Sequence, residues 1–538
     1  MWRFRLACAL IALSAAAVPL TAQQAAHHSM GGPVPEEILS RPVSLRSGIG
    51  VMHQKVSTSS SEAQAFYDQG LAYLHSYVWI EAARSFHQAL RSDPNLAMAY
   101  VGLADAYIGL QDVPSARSAC NKAKALQAHM NDNERAWLTI REREIDSLED
   151  ASADSAAAYQ QAVSNAIKAN PRDPWLWVQK GLAAEASPFT HGQAGGAASL
   201  PSYQTALTLD PKNLAALHYA VHCYENLGQI REALDGSASY ARLAPAIPHA
   251  HHMHGHELVR VGHTEEAIQE FLKANELEEN YYRTEKIPAQ YDWHHAHNLQ
   301  LLALSYELLG QDKAAGKLLY QAFELPASTE FLAYNRRVWP EFLINRGRFQ
   351  EALEASQEMA KSQWPMARLA GHTLAGEALL GLNRLDDARN ELALADKEAA
   401  SLPERIVAAL PYPAALRGSL LLRQNQQREG ESVLVNVEQS TLAMPGPDAW
   451  LAAIFTLESI ARDARAAGDW ELAQYTAEQM IQHDPYYAGG HYAIGLVAEH
   501  AGENDGARTM FTEAQKLWSH GDHDLPELVL TRTKLAPQ

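Results

Sequence analysis

The sequence predicts an all-α protein built from antiparallel helix pairs, and two observations carry this prediction. The first is a sequence repeat, with a period typical of helix-pair arrays, in which small and large apolar residues recur at fixed positions. The second is a proline near the end of the repeat unit, such as Pro94 or Pro245, which stops the second helix of a pair. Small residues at the eighth and twentieth positions let two helices approach closely, and large residues fill the space to the next pair.

The repeat is clearest in three parts of the chain. Counted from Ala63, small Gly70 and Ala82 take the eighth and twentieth positions, and large Phe66 and Phe86 take the fourth and twenty-fourth. The next repeat follows directly, without a gap, and shows the same pattern of small and large residues. The frames in register start at Ala63, Ala97, Leu214 and Pro248, and two more cover residues 454–521.

At these residues the chain resembles the tetratricopeptide repeat family, and the resemblance extends over about residues 63–521. It implies a right-handed superhelical α-solenoid of about eleven helix pairs, in which each pair contacts only its neighbours. It also implies that the first helix of each pair lines a concave groove, with its second, fifth, ninth and twelfth residues facing inward. The match is strong at 63–130, 214–281 and 454–521, and loose at 131–213 and 330–445.

The domain organisation follows from the repeats and from the N-terminal composition. Residues 1–22 combine a basic start with an apolar, alanine-rich stretch, which is the layout of a secretory signal peptide. An uncleaved anchor is the alternative, and we expect export to the periplasm or the extracellular space. Prolines, glycines and serines over 23–60 predict a flexible N-terminal tether. The body divides into N-terminal helix pairs at 61–213, central histidine-rich pairs at 214–328, degenerate pairs at 329–445, and C-terminal pairs with a cap at 446–538.

Two segments interrupt the repeats. Residues 187–199 are rich in glycine, and residues 277–288 do not fit the repeat frame. Both are predicted to be insertions between helices, which are often functional in a compact array. A tolerated insertion without a role is the alternative for each.

Composition excludes several classes of protein. The 538-residue chain has a formal net charge of −19, which is unfavourable for binding nucleic acid. Three cysteines exclude a disulfide scaffold, although Cys120 and Cys223 could pair. No apolar run after the N-terminus is long enough to cross a bilayer, so no membrane span is expected in the mature chain.

Histidines are concentrated in the central repeats. Eleven of the 24 histidines lie between His218 and His297, where an even distribution would place about four. The family register turns many of them inward, so that three consecutive inner helices aim imidazoles at one groove. The predicted ligand groove consists of Trp175, Glu185, His218, His222, Glu225, His249, His252, His256 and His297. By the same register, His251 and His254 should pack against the helix partner as core residues.

The histidine spacing also suits metal binding. Histidines four residues apart on a helix lie on one face, with Cβ atoms about 5–6 Å apart. Imidazole suits zinc, copper, nickel or iron, and three imidazoles could hold such an ion. The candidate metal ligands are His218, His222, His252, His256, His294 and His297.

Two functions of different classes follow. The first is an exported scaffold that binds a protein or peptide partner in its concave groove, and the alternative is a metal-binding or metal-dependent protein. Catalytic motifs of zinc proteases, covalent haem and serine hydrolases are missing, so an enzyme is less expected. If one exists, a metal-dependent hydrolase or redox protein is the expected kind. The segments 247–256 and 292–298 also resemble a group of uncharacterised secreted bacterial tetratricopeptide proteins, which implies no particular reaction.

Overall fold

The computed structural model describes residues 34–185, 188–327, 329–407 and 410–536, and these ranges contain α-helices, short 3₁₀ turns and no β-strand. The all-α prediction is therefore confirmed. The predicted signal peptide at 1–22 lies outside the described residues, as does the first part of the predicted tether. Within the described ranges, no helix combines the length and the apolar character that crossing a membrane requires.

The helices pack in sequential antiparallel pairs. In the first half they are α1 (Glu36–Leu39), α2 (Ser61–Leu74), α3 (Trp79–Ser92), α4 (Ala97–Gly109), α5 (Val113–Ala125), α6 (Asp132–Glu149), α7 (Ala153–Ala169), α8 (Pro174–Ala183), α9 (Leu200–Leu209), α10 (Leu214–Asn226), α11 (Ile230–Leu243), α12 (Pro248–Arg260), α13 (Thr264–Glu285) and α14 (Trp293–Leu308). In the second half they are α15 (Asp312–Glu324), α16 (Glu330–Asn335), α17 (Val338–Asn345), α18 (Phe349–Met359), α19 (Pro365–Gly381), α20 (Leu385–Ala399), α21 (Glu404–Val407), α22 (Ala414–Arg423), α23 (Gln427–Leu442), α24 (Pro447–Ala467), α25 (Trp470–His483), α26 (Ala488–His500), α27 (Asn504–Leu517) and α28 (Pro526–Leu535).

The small residue at the eighth position makes room for the large residue at the twenty-fourth. A Cβ atom placed on Gly255 of α12 would lie 2.7 Å from the ring of Phe271 on α13. Gly70 of α2 stands in the same relation to Phe86 of α3, at 2.5 Å. The close approach of the two helices in a pair therefore depends on these glycines, as the repeat pattern predicts.

Replacing Gly255 with alanine should destabilise the protein by about 1–3 kcal/mol, because the added methyl group overpacks the contact with Phe271. Denaturant unfolding measures the change. Gly196→Ala is the matched control, since no atom lies within 4 Å of a Cβ at Gly196. Equal losses of stability in the two variants would contradict this explanation of the repeat.

The solenoid closes on itself, so helix pairs contact more than their neighbours. Val259 of α12 and Leu302 of α14 share one hydrophobic cluster with Leu451 and Phe455 of α24. Further along, the Asp522 N–H donates to the Gly310 carbonyl at 2.9 Å. The expectation that each pair contacts only its neighbours is corrected, because the C-terminal helices fold back onto the central repeats.

The described part of the predicted tether, residues 34–60, is not a free chain. Ile38, Leu39 and Ile49 are buried. The Ala246 N–H donates to the Gly48 carbonyl at 2.8 Å. These contacts fix the segment between the first helix pair and the central repeats, which corrects the prediction of a flexible tether for these residues.

The two predicted insertions differ in structure. Residues 188–199 form a 3₁₀ turn and loops between α8 and α9, as expected. Residues 277–285, in contrast, continue α13 by two helical turns, so most of the second insertion is helix. This extension carries Glu278 toward the histidines of α14. Both Cys120 and Cys223 are buried free thiols.

Candidate metal centre

Six histidines of the central repeats form two compact groups. Cluster A consists of His218 and His222 on α10 and His249 on α12. Cluster B consists of His252 and His256 on α12 and His297 on α14. In each cluster, one nitrogen from every ring lies within 4.8 Å of the other two. The two histidines contributed by one helix are four residues apart, which places them on one face, as the spacing predicts.

The hydrogen bonds of cluster A fix which nitrogens carry protons. Nδ1 of His218 lies 2.7 Å from the backbone carbonyl of His75, which only accepts, so this Nδ1 carries hydrogen. Nδ1 of His222 lies 3.1 Å from Oε2 of Glu225 and donates to that carboxylate. In the neutral rings, Nε2 of both histidines is therefore a bare lone pair.

These two bare nitrogens face each other. Nε2 of His218 lies 3.1 Å from Nε2 of His222 and 3.0 Å from Nε2 of His249. Two lone pairs at this distance repel unless a cation lies between them. Burial, and then the neighbouring His222, lowers the pKa of His218 well below its usual value, so a proton on His218 is disfavoured as that cation. Nitrogens bound to a tetrahedral metal ion at about 2.0–2.1 Å would be about 3.3 Å apart, which is close to the distances seen here.

In cluster B a hydrogen bond also fixes the tautomer of a histidine, but the partner is a side-chain amide. Nδ1 of His252 lies 2.9 Å from Oδ1 of Asn298. The amide orientation of Asn298 is set because its Nδ2 donates to the Phe271 carbonyl at 3.1 Å. His252 therefore keeps its proton on Nδ1, and its Nε2 is a bare nitrogen with no hydrogen-bond partner in the described part of the chain. Burial lowers the pKa of His252 and lowers that of His297 to about 4.

Two carboxylates, those of Glu225 and Asp448, lie next to these imidazoles. Glu225 holds Nδ1 of His222 with Oε2, and its Oε1 lies 3.5 Å from Nδ1 of His256, so one side chain supports both clusters. Burial alone would raise the pKa of Glu225, but the hydrogen bond from His222 and the nearby imidazole of His256 lower it below its usual range. Asp448 of α24 lies 3.7 Å from Nε2 of His256 and 3.5 Å from Nε2 of His297, where a fourth ligand of cluster B would stand.

His294 lies between the two clusters. Its Nδ1 is hydrogen-bonded to Oε1 of Glu278, and its ring centre is 4.5 Å from that of His252 and 5.0 Å from that of His249. Its Nε2 has no hydrogen-bond partner among the described residues. His294 is thus oriented by a carboxylate in the way that metal-ligating histidines usually are.

The six predicted groove histidines and Glu225 converge, but they are not exposed on an open concave surface. Seven of the nine predicted groove residues are buried, and the side chains of His218 and His252 are fully enclosed. Tyr77, in the turn between α2 and α3, covers cluster A with its ring 4.6 Å from that of His218. Helix α24 covers cluster B with Asp448. The predicted exposure is corrected because distant parts of the chain close over the inner helices.

Trp175 and Glu185 lie outside the two clusters. Trp175 packs on His75 with ring centres 5.6 Å apart. Glu185 faces the loop after α8 and accepts a hydrogen bond from Gly192 N–H at 3.1 Å. Burial raises the pKa of Glu185 to about 8. His251 and His254, expected in the core, are only half-buried and hydrogen-bond to Glu270 and Ser237.

Sequence reasoning missed several residues that complete the centre. They are His75, Tyr77, Glu278, Asn298 and Asp448. Tyr77 has a positive φ of 61°, which no local pattern indicates. Asn298 could have been predicted, because it follows His297 on a helix that the repeat register places at the groove.

Acidification should destabilise the protein through His75. Burial lowers the pKa of His75 from 6.5 to about 4. As the pH falls, His75 is therefore protonated in the unfolded chain before it is protonated in the folded protein. The stability contributed by neutral His75 is complete above pH 6.5 and is lost toward pH 4, by about 2 kcal/mol at pH 5. The test compares the unfolding free energy of wild type and His75→Gln at pH 7.5 and 5. A difference between the two proteins that does not change with pH would contradict the assignment.

The fold and the site define an α-helical repeat protein with a buried histidine centre. Residues 248–281, which are α12 and most of α13, match the family model of the tetratricopeptide repeat. Within these residues the predicted tetratricopeptide repeat is confirmed, and the match falls on the pair that carries His249, His252 and His256. No curated protein sequence matches the chain.

The solved structures to which this chain is similar include the following three. A tetratricopeptide repeat protein from Parabacteroides merdae is 16% identical, with 51% of this chain and 96% of that chain covered and a TM-score of 0.36. Yeast Tom70 is 12% identical, with 88% and 94% covered and a TM-score of 0.32. The quorum sensor NprR from B. thuringiensis, in its apo form, is 11% identical, with 72% and 98% covered and a TM-score of 0.41. These similarities are too low to carry an argument about function.

Proposed function

We propose that this protein is a tetratricopeptide repeat scaffold whose central helices bind two transition-metal ions, one in cluster A and one in cluster B. The observation that carries the proposal is the pair of bare Nε2 atoms of His218 and His222, 3.1 Å apart in a buried site. A metal ion would replace the repulsion between these lone pairs with two bonds. Its positive charge would also be favoured by the ionised Glu225, which accepts the hydrogen bond of His222 Nδ1 and so leaves Nε2 of that ring to bind the metal.

The donor sets restrict the kind of metal. Three imidazoles favour zinc, copper, nickel or iron over calcium and magnesium, which prefer oxygen ligands. Cluster A offers three nitrogens within a shell of aromatic rings, whereas cluster B adds the carboxylate of Asp448. A metal ion held by three protein ligands supplies a Lewis acid at its remaining position.

Metal analysis of variants tests the proposal. Untagged protein is loaded in turn with zinc, copper and nickel, dialysed, and analysed by mass spectrometry of the elements. Wild type should retain roughly two equivalents of a bound metal, and His218→Ala or His252→Ala should each lose one, because each removes a central ligand. The double variant should lose both, while His251→Ala is the control, since His251 lies outside both clusters.

Less than about a tenth of an equivalent of every metal in folded wild type would refute the proposal. Undiminished metal in the folded double variant would show that the ions bind elsewhere. Binding should also raise the melting temperature of wild type, because a ligand that binds only the folded state stabilises it. This shift should be absent in the double variant.

The protein or peptide partner expected in the concave groove stays a prediction. Most of the residues expected to contact it are buried, so such a partner would need another surface of the scaffold. Export to the periplasm or outside also stays a prediction. The metal proposal depends on neither.

A further inference from the structure

A cavity of about 200 Å³ lies where α24 packs over the degenerate repeats. Its walls come mainly from α17, α19, α22 and α24. Apolar side chains form much of this lining, among them Met366, Leu374, Tyr412, Phe455 and Ile460. A cavity of about 150 Å³ holds benzene, so this one has room for a small molecule with a ring.

Glu377 of α19 lines this cavity at an inward position of the repeat. Gly376 and Ala388 match the small residues of the eighth and twentieth positions, so Glu377 takes the ninth. His222 and His256 hold the same position in the central repeats. The Glu377 carboxyl has no hydrogen bond or ion pair among the described residues, and neither of its oxygens is fully buried. A ligand in the cavity can therefore reach this group.

Two more carboxylates line the same cavity. Glu341 and Asp463 have side chains that are 28% and 24% exposed. Each is hydrogen-bonded through one oxygen only: Oε1 of Glu341 accepts from the Tyr412 hydroxyl, and Oδ2 of Asp463 accepts from the Ser419 hydroxyl at 2.8 Å. Burial, and then the charges of Asp463 and Glu341, raise the pKa of Glu377 to about 8. The three carboxyl groups are therefore close enough to repel one another when ionised.

The cations near this group do not neutralise it. Arg337 lines the cavity, and its Nε lies 3.6 Å from Oε1 of Glu341. Arg462 lies 3.7 Å from Oδ1 of Asp463. Neither arginine forms an ion pair with Glu377, so the described lining has an excess of negative charge. A cation in the cavity would offset the repulsion between the carboxylates.

We propose that this cavity binds a small primary amine with an apolar body. The ammonium group has three N–H donors and binds among Glu341, Glu377 and Asp463, each of which keeps an oxygen without a hydrogen bond. The body packs on the apolar wall, which a hydrated inorganic ion would leave unused. This inference does not depend on metal binding, and it gives no role to Asp448, which borders the cavity but belongs to cluster B.

Three probes separate the charge from the apolar body. Binding of 2-phenylethylamine, 2-phenylethanol and methylamine to chelator-treated protein is measured by calorimetry at about pH 8.5, where Glu377 is more than half ionised and an amine is still protonated. Wild type should bind 2-phenylethylamine at least about tenfold more tightly than 2-phenylethanol, because charged hydrogen bonds are strong. It should also bind 2-phenylethylamine at least about tenfold more tightly than methylamine, which lacks the apolar body.

Variants locate the site. Glu377→Gln keeps the shape of the side chain but removes its charge, and should weaken binding of 2-phenylethylamine by about tenfold or more while leaving 2-phenylethanol little changed. Glu354→Gln is the matched control, since Glu354 is exposed on α18 and outside the cavity. Ala452→Phe should occupy part of the cavity and weaken binding of both aromatic probes, while circular dichroism shows an unchanged fold.

Three results would overturn the proposal. These are no binding of 2-phenylethylamine to wild type, equal affinity for 2-phenylethylamine and either of the other probes, and undiminished affinity in folded Glu377→Gln. His218→Ala, which should lose a metal ion, should bind 2-phenylethylamine as wild type does. Failure of the metal proposal and failure of this one are therefore distinguishable.

Discussion

Replacing Glu225 with alanine is expected to weaken metal binding at both clusters, by roughly 10- to 100-fold at each. Glu225 accepts from Nδ1 of His222 and lies 3.5 Å from Nδ1 of His256. Without it, His222 loses the hydrogen bond that orients its ring and keeps Nε2 free for a metal, and His256 loses the negative charge 3.5 Å from its Nδ1. Competition with chelators of graded affinity measures the two dissociation constants.

Glu270→Ala is the matched control for this experiment. Glu270 also accepts from a histidine Nδ1, that of His251 at 2.6 Å, but this pair lies outside the clusters. Its removal should leave metal affinity unchanged. If Glu225→Ala weakened only one site, Glu225 would not be shared. If it weakened neither, the carboxylate would have no role in preparing the ligands.

Replacing Arg346 with leucine should destabilise the fold by about 3–5 kcal/mol, the largest stability change we expect from one substitution. The side chain of Arg346 is only 8% exposed and lies 2.9 Å from both Glu307 and Asp312. It also lies 3.7 Å from Glu458 and 3.6 Å from Glu527, which belong to α24 and α28. Loss of the guanidinium leaves the buried carboxylate of Glu307 and the three partly buried carboxylates without their shared cation, and loosens the closure of the C-terminal helices.

The cost of this substitution should depend on pH in a defined direction. Burial raises the pKa of Glu307 to about 8 and that of Asp312 to about 6, even with Arg346 present. A carboxyl whose folded pKa is raised destabilises the fold as the pH rises from its unfolded pKa through its folded pKa. The difference between wild type and Arg346→Leu should therefore be larger at pH 8.5 than at pH 5.

Denaturant unfolding at these two pH values tests both statements about Arg346. Arg389→Leu is the control, because its pair with Asp386 is exposed and such pairs are worth little. A loss below about 1 kcal/mol for Arg346→Leu at pH 8.5, or a larger loss at pH 5, would contradict this account of the carboxylate cluster.

Local pattern predicted the repeat and the direction of the histidines. Helices α4, α10 and α12 begin at Ala97, Leu214 and Pro248, the residues at which the frames start. The spacing of four placed His218 beside His222 and His252 beside His256, because it corresponds to one helical turn. These features follow from interactions within a single repeat unit, which the sequence displays directly.

Closure of the solenoid could not be predicted in this way. The burial of the clusters depends on Tyr77, which lies far before His218 in the chain, and on Asp448, which lies far after His297. Neither residue belongs to a motif that marks it as part of a site. The same is true of residues 34–60, whose polar composition suggests a tether although Ile38, Leu39 and Ile49 are buried.

X-ray absorption at the zinc edge of the zinc-loaded protein tests the central claim most directly. Two histidine clusters predict a shell of nitrogen neighbours at about 2.0–2.1 Å with the scattering signature of imidazole, and about three imidazoles for each zinc ion. A shell of oxygen atoms alone, or fewer than one imidazole for each ion, would show that the metal does not lie among these six histidines.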